Sequence, residues 1–231
     1  MTDMRGEQAL QLALDFPHRP AMGLEDFFVS GSNRAALQQI DLWPNWSAPA
    51  LYLQGPKGSG KSHLAHVWQL ASEAVIFSAA DFDMAAAEAH DGDAIVIEDL
   101  DVHSVAGRID ERALFHLINL AKEQGFHILF SGAMAPGQIE ISLPDFRSRL
   151  RALPVAAIEA PDDMLLRTML IKQFQDRQID VQPNLIEYIL PRMERSFVGV
   201  GQLVELLDKS ALQSGRRITR QFAGEILKDV P

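Results

Sequence analysis

The stretch Gly55-Pro56-Lys57-Gly58-Ser59-Gly60-Lys61-Ser62 has the residue types and the spacing to hold a row of phosphates. It fills every fixed position of the pattern Gly, four residues, Gly-Lys-Ser/Thr. Glycines let successive backbone N–H groups turn inward around phosphate oxygens, and a helix starting at the end of the loop adds its positive pole. Lys61 supplies a mobile cation for the outer phosphates and Ser62 a hydroxyl for Mg²⁺, with His63 directly behind them. Further along, Ala94-Ile95-Val96-Ile97 is apolar throughout and ends in two carboxylates, Glu98 and Asp99. A buried strand ending in acids is the second element such a loop needs, to hold the metal and orient water. Glu98 is the expected Mg²⁺ ligand beside Ser62, and Asp99 the expected catalytic acid. The longer acid stands first, the reverse of the usual order. A displacement by one carbon–carbon bond, about 1.5 Å, matters where positioning dominates phosphoryl transfer. The reading is tight binding of ADP or ATP with Mg²⁺, and slow intrinsic hydrolysis.

Those side chains need a scaffold, and the pattern of apolar residues supplies one. Residues 51–54 form a short apolar run into the loop, and 63–71 read as the helix after it. Further strands are expected at 74–78, 94–97, 126–130 and 153–158. Residues 111–124 are amphipathic, with Leu114, Leu117, Ile118 and Ala121 at helical spacing and Gly125 as the stop. Alternating strands and helices argue for an open parallel sheet covered by helices. After Pro161 strands cease. Helices are expected at 162–177, 183–193, 201–213 and 219–228, the last capped by Thr219. The organisation is therefore a tail over 1–20, an α/β nucleotide-binding core over 21–160 and a small all-helical domain over 161–231.

Composition narrows the setting. The 231 residues include no cysteine, which excludes disulfides and thiolate metal sites and makes a reducing, cytoplasmic setting the default. No apolar run approaches the roughly 20 residues that span a bilayer, and the first residues lack a secretory pattern, so no membrane partner is expected. A formal charge of -10 opposes nucleic-acid binding in general without forbidding a local basic patch. No direct sequence-specific DNA binding is expected; protein partners are.

Taken together, these elements resemble the AAA+ ATPases and, within them, the DnaA initiator group. The resemblance runs from about residue 21 to 230 and lacks that group's DNA-binding module. Leu24-Glu25-Asp26-Phe27-Phe28-Val29-Ser30-Gly31-Ser32-Asn33 is similar to its adenine-wrapping motif, which implies Phe28 and Val29 as base contacts. Asp145-Phe146-Arg147-Ser148-Arg149-Leu150, followed by Ile158-Glu159-Ala160-Pro161, is similar to its arginine-finger box and the crossover to a helical lid. That implies Arg149 as a finger acting on nucleotide held by a neighbouring subunit, where a trans arginine accelerates phosphoryl transfer about 10³–10⁵-fold. The plain alternative is a solvated arginine in the basic run Arg147, Arg149, Arg151. Ser131 falls at the sensor-1 position, and equally reads as a turn residue capping a helix start. Where the group's lid carries a sensor-2 arginine, residues 196–201 hold none; Arg195 lies just before them.

A short DnaA-like chain of this kind resembles the regulators that inactivate the initiator once replication has begun. Gln11-Leu12-Ala13-Leu14-Asp15-Phe16 is similar to the peptides that dock on the replicative sliding clamp, the beta subunit of DNA polymerase III. The glutamine would anchor by hydrogen bonds and Leu14 and Phe16 would fill an apolar pocket, with Leu12 and Asp15 alongside. A tail helix over 8–14, using Leu10 and Leu14 as packing residues, explains the same residues differently. The resemblance thus implies an ADP-bound regulator with the clamp and DnaA as partners, and leaves a homodimer open. A self-sufficient ATPase such as a helicase-loader-like motor, and an adaptor that recruits DnaA, are the competing readings. His63 and His66 lack a third metal ligand nearby. Arg216, Arg217 and Arg220 form a small basic cluster that could touch DNA but reads first as a solvated helix entrance. Trp43 and Trp46 read as packing beside the sheet, with an interface as the alternative.

Overall fold

In the computed structural model, residues 28–89 and 92–228 are described, and the tail with its peptide Gln11, Leu12, Leu14, Asp15 and Phe16 lies outside them. The strands are β1 (Ala50–Gln54), β2 (Val75–Ser78), β3 (Ala94–Glu98), β4 (His127–Gly132) and β5 (Val155–Ala157). All pair in parallel, in the order β2-β3-β4-β1-β5, which puts β1 and its following loop between β4 and β5. Around them run α1 (Arg34–Ile40), α2 (Lys61–Ser72), α3 (Met84–Glu88), α4 (Leu100–Val105), α5 (Glu111–Gln124) and α6 (Pro144–Arg151). Residues 94–97 of β3 are fully buried, as a parallel strand covered on both faces must be.

Each face of the sheet has its own apolar core. One packs Ile95, Ile97 and Phe130 against Leu114, Leu117 and Phe146; the other packs Leu53, Val96 and Leu129 against Ile40, Leu64 and Trp68. Trp68 is wholly buried, stacked on Trp46 at 5.1 Å and met edge-on by Trp43 at 6.1 Å. The two tryptophans before the sheet are therefore packing residues. Trp68→Ala is expected to cost about 3–5 kcal/mol, read as a shifted urea midpoint at unchanged slope.

Four helices follow: α7 (Asp163–Asp176), α8 (Pro183–Ile189), α9 (Phe197–Ser214) and α10 (Arg220–Ile226). They enclose a third core of Leu170, Phe174, Ile189, Leu207 and Phe222. Local chemistry sets their ends. Asp162, Ser196 and Thr219 accept hydrogen bonds from Leu165, Gly199 and Phe222 N–H groups as N-caps, and Gly215 closes α9 with a positive φ of 65°.

Three of the boundaries that differ from the sequence reading have a clear local cause. Helix α8 stops at Ile189, and a single 3-10 turn over Leu190–Arg192 follows, because Pro191 has no N–H to continue the ladder. Helix α9 starts four residues early, since Ser196 caps it and Gly199 serves a close approach: a Cβ there would lie 2.5 Å from Glu194 O. Strand β4 runs on to Gly132, since Ser131 and Gly132 stand in register with Leu53 and Gln54 of β1. Among the described residues no helix is long and apolar enough to cross a membrane.

Candidate functional site

The carboxyl ends of β1 and β3 lead into one cavity of about 450 Å³. Its walls include Lys57, Gly58, Gly60, Lys61, Ser62 and His63 from the phosphate-binding loop, and Asp99 from the end of β3. Gly58 and Gly60 adopt φ of 74° and 94°, a conformation in which a side chain is strained, and Gly60 is the N-cap of α2. The loop thereby aims its backbone at the start of a 12-residue helix. The Lys61 ammonium donates to Gly55 O at 2.7 Å and Pro56 O at 3.1 Å, tying the loop to its own helix. Burial lowers its pKa from the ordinary lysine value, and Asp101, Asp99 and Glu98 pull the other way. Three carboxylates thus act on the Lys61 ammonium at the mouth of the loop.

The two acids at the end of β3 part company. Asp99 turns into the left-handed region, φ 58°, and lines the cavity; its N–H donates to Ser131 Oγ at 3.4 Å. Glu98 ends the strand half-buried, with Oε1 shielded from solvent and unpartnered. Ser131 is buried inside β4 and caps no helix, which removes the turn reading. A third acid carried no signal in the sequence. Asp101, in the first turn of α4, is buried and accepts the N–H groups of Ala133 at 2.9 Å and Met134 at 3.0 Å. It pins the turn after Ser131, and with burial it helps push the Tyr52 hydroxyl pKa well above the usual tyrosine range. Asp101→Ala leaves two amides without their charged acceptor; a loss of about 2–3 kcal/mol in urea unfolding is expected.

The rest of the cavity comes from the N-terminal segment and the last four helices. Phe28 lines it, and Asn33 fixes that segment by donating to Phe28 O at 2.9 Å and accepting from Ser30 N–H at 2.9 Å. Val29 instead packs into the core beside α1. Leu165 and Met169 of α7, with Phe197 and Val198 of α9, complete an apolar wall. The first turn of α9 sits directly on the loop: Phe197 N–H donates to Gly58 O at 3.0 Å, and a Cβ on Gly60 would lie 2.8 Å from the Phe197 ring.

Comparison with known proteins places this arrangement. The family described as "Hda, lid domain" matches residues 163–227. Domain III of the Thermotoga maritima replication initiation protein DnaA superposes with a TM-score of 0.72 at 18% identity, over 92% of this chain and 98% of that one. The AMPPCP-bound structure of DnaA from Aquifex aeolicus gives 0.67 at 18% identity, over 85% of this chain and 68% of that one. Over residues 163–227 the chain is similar to the Hda lid domain, and as a whole it is similar in fold to domain III of DnaA. Its fold is the AAA+ parallel five-stranded sheet with a C-terminal helical lid. An uncharacterized protein of Haemophilus influenzae is 27% identical over 190 residues, 78% of this chain and 81% of its own length.

Within the AAA+ frame the lid wall that faces the loop is apolar. Phe197 and Val198 stand there, and Arg195 is held by Asp163 at 2.5 Å outside the cavity lining. Leu165 and Met169, four residues apart on α7, could have been suspected from their spacing, but nothing local separates a cavity-lining pair from a core pair. Arg149 lies in the last turn of α6, exposed, outside the lining of its own chain's cavity. Its neighbours are engaged: Arg147 donates to Ile141 O and Arg151 to Gly137 O, both at 3.3 Å. The Arg149 guanidinium makes no hydrogen bond or ion pair among the described residues. His66 shares a hydrogen bond with Gln69, and no group of three His, Asp or Glu suited to a metal occurs among the described residues.

Proposed function

We propose that this chain binds an adenine nucleotide at the cavity and negatively regulates replication initiation, using Arg149 to stimulate hydrolysis of ATP bound by DnaA. The observation that carries the proposal is the exposed, unpaired Arg149 on a DnaA-like fold whose lid matches the Hda family. A guanidinium left unneutralised at the surface is available to a neighbouring subunit's phosphates, where its planar fork suits bidentate contact.

The apolar wall of Phe28, Leu165, Met169 and Val198 suits a nucleobase, and the loop suits its phosphates. The oxygen donors fit magnesium: the Ser62 hydroxyl, the Asp99 carboxylate and the unpartnered Glu98 Oε1 are hard ligands beside a phosphate site. Ser62 with Glu98 or Asp99 would hold the ion, which when bound offsets phosphate charge. With no arginine on the lid wall, ADP is the expected resident nucleotide and intrinsic turnover is slow. Gln11, Leu12, Leu14, Asp15 and Phe16 would tether the chain to the DNA-loaded sliding clamp, ahead of a core over 21–160 and a lid over 161–231.

The test is hydrolysis of DnaA-bound ATP with DNA-loaded clamp and ADP present, comparing the parent with Arg149→Ala and Gln11→Ala. The parent should stimulate. Gln11→Ala should reduce stimulation by about tenfold or more, with recovery at high concentration, because a tether acts through effective concentration. A parent that leaves DnaA-bound ATP untouched but turns over its own ATP would make it a self-sufficient motor.

A further inference from the structure

The lid carries chemistry that the nucleotide site does not use. The chain has 21 Lys and Arg against 31 Asp and Glu, yet residues 163–228 hold ten against eight. Six of those ten cations, Arg167, Lys172, Arg177, Arg195, Lys209 and Arg216, are paired with carboxylates. The four that have no carboxylate partner among the described residues are Arg192, Arg217, Arg220 and Lys228, and all are exposed. They are not scattered. The Arg192 guanidinium lies 4.1 Å over the Tyr188 ring and that of Arg220 5.2 Å from the same ring. Tyr188, Arg220, Gln221 and Lys228 line one groove, and Arg217 and Arg220 line a second that shares Arg220 and Gln221 with it. The acid in the first groove, Glu225, is already bonded to Arg216, and Glu187 on the neighbouring α8 to Arg167.

Stacking on an aromatic ring orients a guanidinium without neutralising it. Arg192 also donates to Tyr188 O at 2.7 Å, which fixes one end of its fork and leaves the charge and the remaining N–H groups for an anion. Gly224 makes room for this arrangement, since a Cβ there would lie 3.0 Å from the Tyr188 hydroxyl. We propose that this face of α8 and α10 contacts the phosphate backbone of duplex DNA without reading sequence. A protein interface would centre on an apolar patch. The first groove is lined by cations, an amide, Tyr188 and the already bonded Glu225. The second holds, besides Arg217 and Arg220, the exposed Leu212 and the acids Asp180 and Asp208. Backbone phosphates match a row of cations and bring position rather than specificity. On a fold whose proposed tether lies on DNA-encircling clamp, such a contact would orient the chain on the duplex. The proposal itself needs neither clamp nor DnaA, so it stands or falls separately from the regulatory reading.

The test is fluorescence anisotropy of the full chain, with ADP, on a labelled duplex of about two helical turns in about 50 mM salt. Binding is expected to be equal for unrelated sequences, with a log–log salt slope of about -3, as three to four phosphate contacts require. Arg217→Glu/Arg220→Glu should weaken it about tenfold or more, and Arg192→Gln/Lys228→Gln should flatten the slope. A charge-matched control on α5, Arg112→Glu/Lys122→Glu, should stay within about threefold of the parent. All these positions are exposed, and an unchanged ADP affinity and circular dichroism spectrum confirm folding. No binding by the parent, equal loss in the α5 control, or tighter binding of labelled polyglutamate than of duplex would each overturn the proposal, the last in favour of an acidic protein segment.

Discussion

Arg149→Ala is expected to reduce stimulated hydrolysis of DnaA-bound ATP by about 10³-fold or more, with the chain's own nucleotide affinity unchanged. The split follows from position. Arg149 is outside the lining of its own cavity, so its loss removes nothing from the nucleotide held there. It also satisfies no carbonyl or carboxylate among the described residues, so the fold loses little. Arg147 and Arg151 are the internal controls: each is bonded to a backbone carbonyl, and replacing either should cost stability before it costs stimulation. Arg149→Lys should rescue poorly, because an ammonium lacks the planar fork that spans two phosphate oxygens. Single-turnover hydrolysis of labelled ATP preloaded on DnaA measures the effect. A drop in nucleotide binding by the variant chain itself would place Arg149 in its own site instead.

The second large effect is on binding. Lys61→Ala should weaken ADP binding by about 10²–10³-fold in calorimetry, the scale of losing a charge-assisted contact in a partly buried site. More than the contact is lost. Glu98, Asp99 and Asp101 all act on this ammonium, so its removal leaves phosphates facing carboxylates with one fewer cation to offset them. The loop also loses its bonds from Lys61 to Gly55 O and Pro56 O. Asp99→Asn, which removes a negative charge from the same wall, should bind ADP at least as well in the absence of magnesium. Near-normal binding by Lys61→Ala would mean that the apolar wall, and not the loop, carries the affinity.

Much of this was legible along the chain because the signals are local. The glycines at 58 and 60 announce positive φ, an apolar run ending in Glu98 and Asp99 announces a buried strand, and Thr219 before a periodic segment announces a cap. A loop that binds phosphate through its own backbone is determined by consecutive residues, so spacing alone predicts the chemistry. The same holds for the alternation that separates a sheet from the helices after Pro161, since strand and helix periods are properties of short segments.

What the sequence by itself determined was the phosphate-binding loop, the order of elements and the fold class. The tertiary structure decided everything that depends on residues far apart meeting. That Asp99 rather than Glu98 lines the cavity follows from a left-handed turn at Asp99 after β3. That Asp101 holds the turn after Ser131 depends on α4 packing beside β4, across some thirty positions that no local pattern connects. That the lid's α9 rests on Gly58 and Gly60, and that Arg192 and Arg220 meet at the Tyr188 ring with no carboxylate partner among the described residues, are matters of side-chain direction in three dimensions. Sequence spacing encodes the period of an element, but which face it turns to a distant partner is set by the packing of all the elements at once.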